Sequence, residues 1–256
     1  MNLIICVPVP PLQSALAHSL IPQGFGLIKM NTLDEVFASI PARGNICLID
    51  DGAVEKKDLI QKIVEVKKNE QKKSVRIMLI TKSSDLQMIS TYTKLGADLV
   101  LQSSLHFETI AEKIENFLHS ISGQNAQRKH IRIKPDPKSE AGVKFLQPAT
   151  NAYVVGKITD ISMGGLAARF TLADTQIMQE KQILGNVHVS LDNKNIVADL
   201  FLVKKVGETV AFSFHKIRET FKDGLAEYIY FQTQKSFVTQ PLETPPPQEE
   251  ENEEKN

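Results

Sequence analysis

The chain has 256 residues, 42% hydrophobic and 23% charged, and its 30 Lys plus Arg balance its 30 Asp plus Glu to a net charge of zero. That composition excludes a collagen, a disulfide-built miniprotein and a wholly disordered chain, and at ~100 to 200 residues per domain the length points to two domains. The zero conceals a distribution, because residues 1–120 sum to 0, residues 121–240 to +5 and residues 241–256 to −5.

Residues 1–120 alternate short aliphatic runs with longer amphipathic stretches, the pattern of βα units around a parallel sheet. Strands are expected at Leu3 to Val7, Gly26 to Met30, Asn45 to Ile49, Val75 to Thr81 and Asp98 to Leu101, with helices near 12–20, 32–40, 57–69, 84–95 and 105–120. In the last helix Phe107, Ile110, Ala111, Ile114, Phe117 and Leu118 step by three and four, one buried face. Continuous runs such as Ile46 to Ile49 and Ile77 to Ile80 suit strands covered on both sides. The expected fold is a doubly wound α/β domain with a five-stranded parallel sheet.

Small polar residues at 121–127 read as a hinge, and the chain resumes with Arg128-Lys129-His130-Ile131-Arg132. From there to His215 short alternating segments dominate: Val143 to Leu146, Ala152 to Ile161, Leu166 to Phe170, Val187 to Leu191, Ile196 to Val203 and Thr209 to Phe214. Turn signals at 191–194 and 204–207 punctuate them, as an antiparallel barrel or sandwich requires. One closing helix is expected, with Ile217, Phe221, Leu225, Tyr228 and Ile229 forming a stripe that packs on the barrel. Residues 237–256, rich in Pro and Glu, cannot offset their ordering entropy and are expected to be disordered.

The two cysteines, Cys6 and Cys47, sit in apolar runs and read as buried reduced thiols. No signal peptide and no spanning segment of ~20 apolar residues is read, so a cytoplasmic location is expected. The six histidines show neither metal-ligand spacing nor a nucleophile partner, and no phosphate-binding glycine loop occurs.

The strongest signal is a pair of short motifs opening the β-rich half: Arg128-x-x-x-Arg132, then Asp160-Ile161-Ser162-Met163-Gly164-Gly165. Singly, each reads as a basic linker or an ordinary hairpin turn. Together, in order, inside the +5 region, they resemble the PilZ domain, a bacterial module that binds cyclic di-GMP. Its signature is RxxxR followed by [D/N]xSxxG, and Arg128, Arg132, Asp160, Ser162 and Gly165 match it position by position. The resemblance implies a six-stranded antiparallel barrel with a C-terminal helix across residues 128–236. Lys129 stands where a second arginine is common in that family, and Gln127 lies where ligand stoichiometry is influenced.

Such a ligand, with two phosphate charges and two guanines, suits these residue types. A guanidinium grips a phosphate, or the O6 and N7 edge of guanine, with two parallel hydrogen bonds. In an extended segment Arg128 and Arg132 would project to one side about 13 Å apart. Asp160 offers an acceptor for the N1 and N2 hydrogens of guanine, Ser162 two residues on faces the same side of a strand, and Gly165 permits close backbone approach.

Residues 1–120 resemble a response-regulator receiver, with Asp50 at the end of the third strand in the phosphoacceptor position and Thr81 ending the fourth. A working receiver needs two acids after its first strand and a lysine after its fifth, where this chain has Val7, Pro8 and Ser103. Without them no magnesium site assembles, and an entering phosphoryl group meets Asp50 and Asp51 uncompensated. The reading is a pseudo-receiver whose Asp50-Asp51 is a solvated acidic turn, with phosphotransfer to Asp50 the minor alternative. The whole is expected to be a non-enzymatic effector without metal or cofactor. Cyclic di-GMP is its ligand, and a protein partner is engaged through the pseudo-receiver with neither nucleic acid nor membrane insertion involved. Its output would be motility, surface attachment or envelope polysaccharide. A ligand-independent scaffold and a phosphorylation-controlled regulator are the rivals.

Overall fold

The computed structural model describes residues 1–40, 44–69, 72, 74–122, 130–192 and 194–238. The acidic tail beyond them, most of the expected hinge and Arg128 lie outside the described residues.

In the first half, strands β1 (Asn2–Cys6), β2 (Gly26–Lys29), β3 (Ile46–Asp50), β4 (Arg76–Thr81) and β5 (Leu99–Gln102) form a wholly parallel sheet in the order β2-β1-β3-β4-β5. Every residue of β3 is buried, because helices cover both faces. Helices α1 (Pro10–Leu20) and α5 (Phe107–Ser122) pack on one side, whereas α2 (Leu33–Ser39), α3 (Lys56–Lys68) and α4 (Leu86–Leu95) build a separate core on the other. The helix boundaries follow local chemistry. Pro10 occupies the first turn of α1, where its missing N–H costs nothing. Thr32 and Glu35 form a reciprocal capping box at α2, and Gly96, at φ 108°, ends α4 in the left-handed region. The expected five-stranded doubly wound domain is the one observed.

The second half contributes β6 (Arg132–Ile133), β7 (Gly142–Gln147), β8 (Ala152–Ser162), β9 (Gly165–Arg169), β10 (Ile183–Leu191), β11 (Lys194–Val206) and β12 (Thr209–Ile217). Their order is β6-β8-β7-β10-β11-β12-β9, and β9 returns to β8. Six antiparallel strands therefore close a barrel, and the two-residue β6 is laid against the outside edge of β8. Phe145, Phe170 and Phe212 fill its interior edge to face, with ring centroids 6.0, 6.1 and 6.4 Å apart. A short helix, α6 (Leu172–Ile177), interrupts the strands where none was expected, capped by Thr171, which accepts from Asp174 N at 3.1 Å. Lys204 to Val206, read as a turn, extend β11 instead, and the reversal falls at Gly207 with φ 58°.

The closing helix, α7 (Glu219–Val238), buries two faces rather than one. Leu225, Ala226 and Ile229 join the barrel core, while the helix also lies against α1 and β2 of the first half. Tyr230 Oη donates to Gln13 Oε1 at 3.4 Å, Gln234 Nε2 donates to Leu27 O at 2.7 Å, and Lys29 N donates to Gln234 Oε1 at 2.7 Å. Glu227 takes Lys194 Nζ at 2.5 Å and His18 Nε2 at 3.1 Å. The Lys194 bond first, then His18, hold the Glu227 carboxyl below its ordinary value of 4.5 despite partial burial. One hydrophobic cluster consequently runs through both halves. Among the described residues no helix is long and apolar enough to cross a membrane.

Candidate functional site

Strand β8 carries Asp160 and Ser162, and an irregularity in it sets their geometry. Ile158 and Ile161 both point into the core although they are three residues apart, which strict alternation forbids. The register with β9 shifts between Ile158 and Asp160, so an extra residue is accommodated as a bulge. Beyond it Asp160 and Ser162 share the outer face, and Asp160 lies opposite Ala167.

Arg132 reaches the same face by pairing. In the β6–β8 ladder Arg132 is directly opposite Ser162, and residues opposite in an antiparallel pair project to one side. Arg132 is exposed and forms no ion pair among the described residues. Together with His130, Asp160, Ser162 and Gly165 it lines a cleft of about 470 Å³, walled on its far side by Ala211 to Ser213 of β12. Four of the five motif residues are thus brought together, and Arg128 is outside the described residues.

The roles within the cleft are unequal. The Ser162 hydroxyl donates to Gly165 O at 3.2 Å and accepts from Gly164 N at 3.3 Å, leaving one acceptor site. It shapes the β8–β9 turn first and meets a ligand second. Gly165 has a negative φ; its constraint is proximity, since a Cβ there would stand 2.1 Å from Phe212 O and 2.9 Å from Ser213 Cα. A Cβ on Gly164 would likewise stand 2.7 Å from the ring of His130, so the segment His130 to Arg132 lies directly on the turn. The same segment touches the first half, where a Cβ on Gly26 would stand 3.3 Å from Ile131 Cδ1. His130, which lines the cleft, was missed as a site residue, and only its position between the two motif arginines could have pointed to it.

The acids of the first half behave differently from their expectation. Asp50 and Asp51, read as a solvated turn, are 5% and 3% exposed. Asp50 accepts from Gly52 N at 2.9 Å, and Asp51 accepts from Thr81 Oγ1 at 2.5 Å and Tyr92 Oη at 3.1 Å. Burial first, then the Asp51 charge, push the Tyr92 phenol up to about 12. Thr81 is therefore spent on the neighbour of the presumed phosphoacceptor. Among the described residues no group of His, Cys, Asp and Glu could hold a metal ion.

The two sheets and their connections define the class: a receiver-like α/β fold joined to a PilZ-like barrel with its C-terminal helix. No protein-family model and no curated protein matches the chain. Solved structures of both kinds do resemble it. The PilZ domain with c-di-GMP of YcgR from Escherichia coli is 19% identical over 44% of this chain and 95% of its own, with a TM-score of 0.37. The K. pneumonia MrkH–c-di-GMP complex is 17% identical over 44% of this chain and 55% of its own, at 0.38. A response regulator from Thermotoga maritima is 14% identical over 46% of this chain and 97% of its own, at 0.40.

Proposed function

We propose that this protein is a non-enzymatic, cytoplasmic effector of bacterial cyclic di-GMP signalling. The observation that carries the reading is the convergence of Arg132, Asp160, Ser162 and Gly165 on one open cleft, from motifs almost thirty residues apart. In that cleft an arginine with no ion pair among the described residues faces outward beside a carboxylate, the pair of groups a phosphate and a guanine edge call for. Arg128 would close over the ligand from the segment preceding β6, Asp160 would accept from guanine N1 and N2, and Ser162 would offer its remaining acceptor site.

Binding then acts on the join between the halves. His130 lies on the β8–β9 turn, and its neighbour Ile131 lies against Gly26 of β2. Fixing this segment on the ligand changes what the receiver-like half meets, and a partner protein reads the altered arrangement. Motility, surface attachment and envelope polysaccharide are the outputs the PilZ resemblance suggests.

Calorimetry with cyclic di-GMP tests this. Replacing Arg132 with alanine removes about two charge-assisted hydrogen bonds at ~1.5 to 3 kcal/mol each, so affinity falls by roughly a hundredfold or more, and Asp160→Ala weakens it by about tenfold or more. Absence of wild-type heat, or unchanged affinity in both variants, overturns the proposal.

A further inference from the structure

A second and larger cleft, of about 680 Å³, lies beside the nucleotide cleft along β8. Its floor is Lys157 to Thr159 and Arg169, one wall is the loop Lys134 to Pro137, and the other is the end of α7 with Lys235. Among the described residues that line it, four cations face a single carboxylate, Asp136, whose Oδ1 is already committed to Lys138 N at 2.8 Å. Lys157 and Arg169 stand directly opposite each other in the β8–β9 ladder. Like charges in that position repel and weaken the sheet unless an anion lies between them. Lys157 donates to Pro137 O at 2.9 Å, which turns its ammonium toward the proline wall of the cleft.

We propose that this cleft binds an acidic, proline-containing peptide, and that its occupant is the chain's own C-terminal segment, Glu243 to Glu254. Three features match. The segment holds six glutamates and begins five residues after the end of the helix that forms one wall. Glu249 is eleven residue steps beyond Val238, and at about 3.1 Å per step that gives a reach of roughly 34 Å, ample to return to Lys157 and Arg169. Pro245 to Pro247 pre-pay part of the ordering cost and meet a wall containing Pro135 and Pro137. Individual contacts of this kind are weak, but tethering raises the effective concentration to about the millimolar range, and the association weakens as salt rises.

The test does not depend on cyclic di-GMP. The full chain is treated with a zero-length carbodiimide crosslinker at low ionic strength, and the glutamyl–lysyl links are mapped by mass spectrometry. The tail glutamates should join Lys134, Lys157 and Lys235 within one molecule, and the yield should drop at least fivefold in 0.5 M sodium chloride and in Arg169→Glu. Because Arg169 is exposed and the new glutamate faces Lys157, that variant melts no lower than the wild type. Links concentrated on Lys129 would place the tail on the nucleotide cleft and overturn the proposal. So would links between two molecules, links spread over the surface lysines, or an absence of links while pyrophosphate shields Lys157 from acylation.

Discussion

Each half of the molecule sets an aspartate at the end of a strand, and the two are treated in opposite ways. In the receiver-like half Asp50 and Asp51 are buried, and each has one carboxylate oxygen engaged, Asp50 Oδ1 by Gly52 N and Asp51 Oδ2 by both Thr81 and Tyr92. In the barrel Asp160 is half-buried beside an exposed Arg132, and the two form no ion pair with each other. A buried carboxylate that accepts from its own fold's donors helps hold that fold together, whereas a cation and an anion left apart in a cleft have capacity for something else. The same residue type is structural in one half and available in the other, and only the partners distinguish them.

That contrast can be broken most forcefully at the barrel turn. Gly165→Ala drives a methyl group into Phe212 O and Ser213 Cα, and backbone on both sides must shift. The expected loss is about 3 to 4 kcal/mol, read as a lowered melting temperature, and a wild-type melt would show that the turn is slack. Next comes the buried site. Asp51→Ala leaves the Thr81 and Tyr92 hydroxyls, both 0% exposed, without their acceptor, at a cost of about 2 to 3 kcal/mol. The Tyr92 phenol should then titrate below its present value of about 12 in an ultraviolet pH scan. A variant as stable as wild type would mean that Asp51 is as available as Asp160.

The smallest effect lies between the halves. The folded-state pKa of Glu227 is depressed below 4.5, so its contribution is fully present above that pH and is lost as the pH falls through the folded value. At 29% side-chain exposure, solvent screening leaves about 0.5 to 1 kcal/mol. Glu227→Gln should therefore lower stability at pH 7 and flatten the acid limb below pH 4.5, where wild type and variant converge. Parallel curves at all pH values would remove Glu227 from the junction.

The strands were legible because they are apolar runs bounded by turn residues, which gave the parallel sheet directly, whereas the choice of a barrel over a sandwich rested on the PilZ resemblance. What escaped had causes of two kinds. The helix α6 was signalled by Thr171 and Asp174, a three-residue capping spacing that strand alternation on either side outweighed. The bulge was equally present, in the interval from Ile158 to Ile161. Burial of Asp51 was not readable, since its partners stand 30 and 41 residues away and are brought in by β4 and α4. The motif named four residues that the barrel brings to one cleft, but the pairing of Arg132 with Ser162 is a matter of register, which local sequence does not state. Nor did the stripe on α7 announce a second face, because Gln13 and Leu27 lie more than two hundred residues earlier.

Gln234 has a further consequence. A glutamine carboxamide is a peptide group with no chain behind it, and here it donates to Leu27 O and accepts from Lys29 N. One residue of a parallel neighbour would bond β2 in the same alternating way. With a single side chain the barrel's helix thus stands in for a sixth strand, finishing the sheet at that border and denying it to any other chain seeking to extend it.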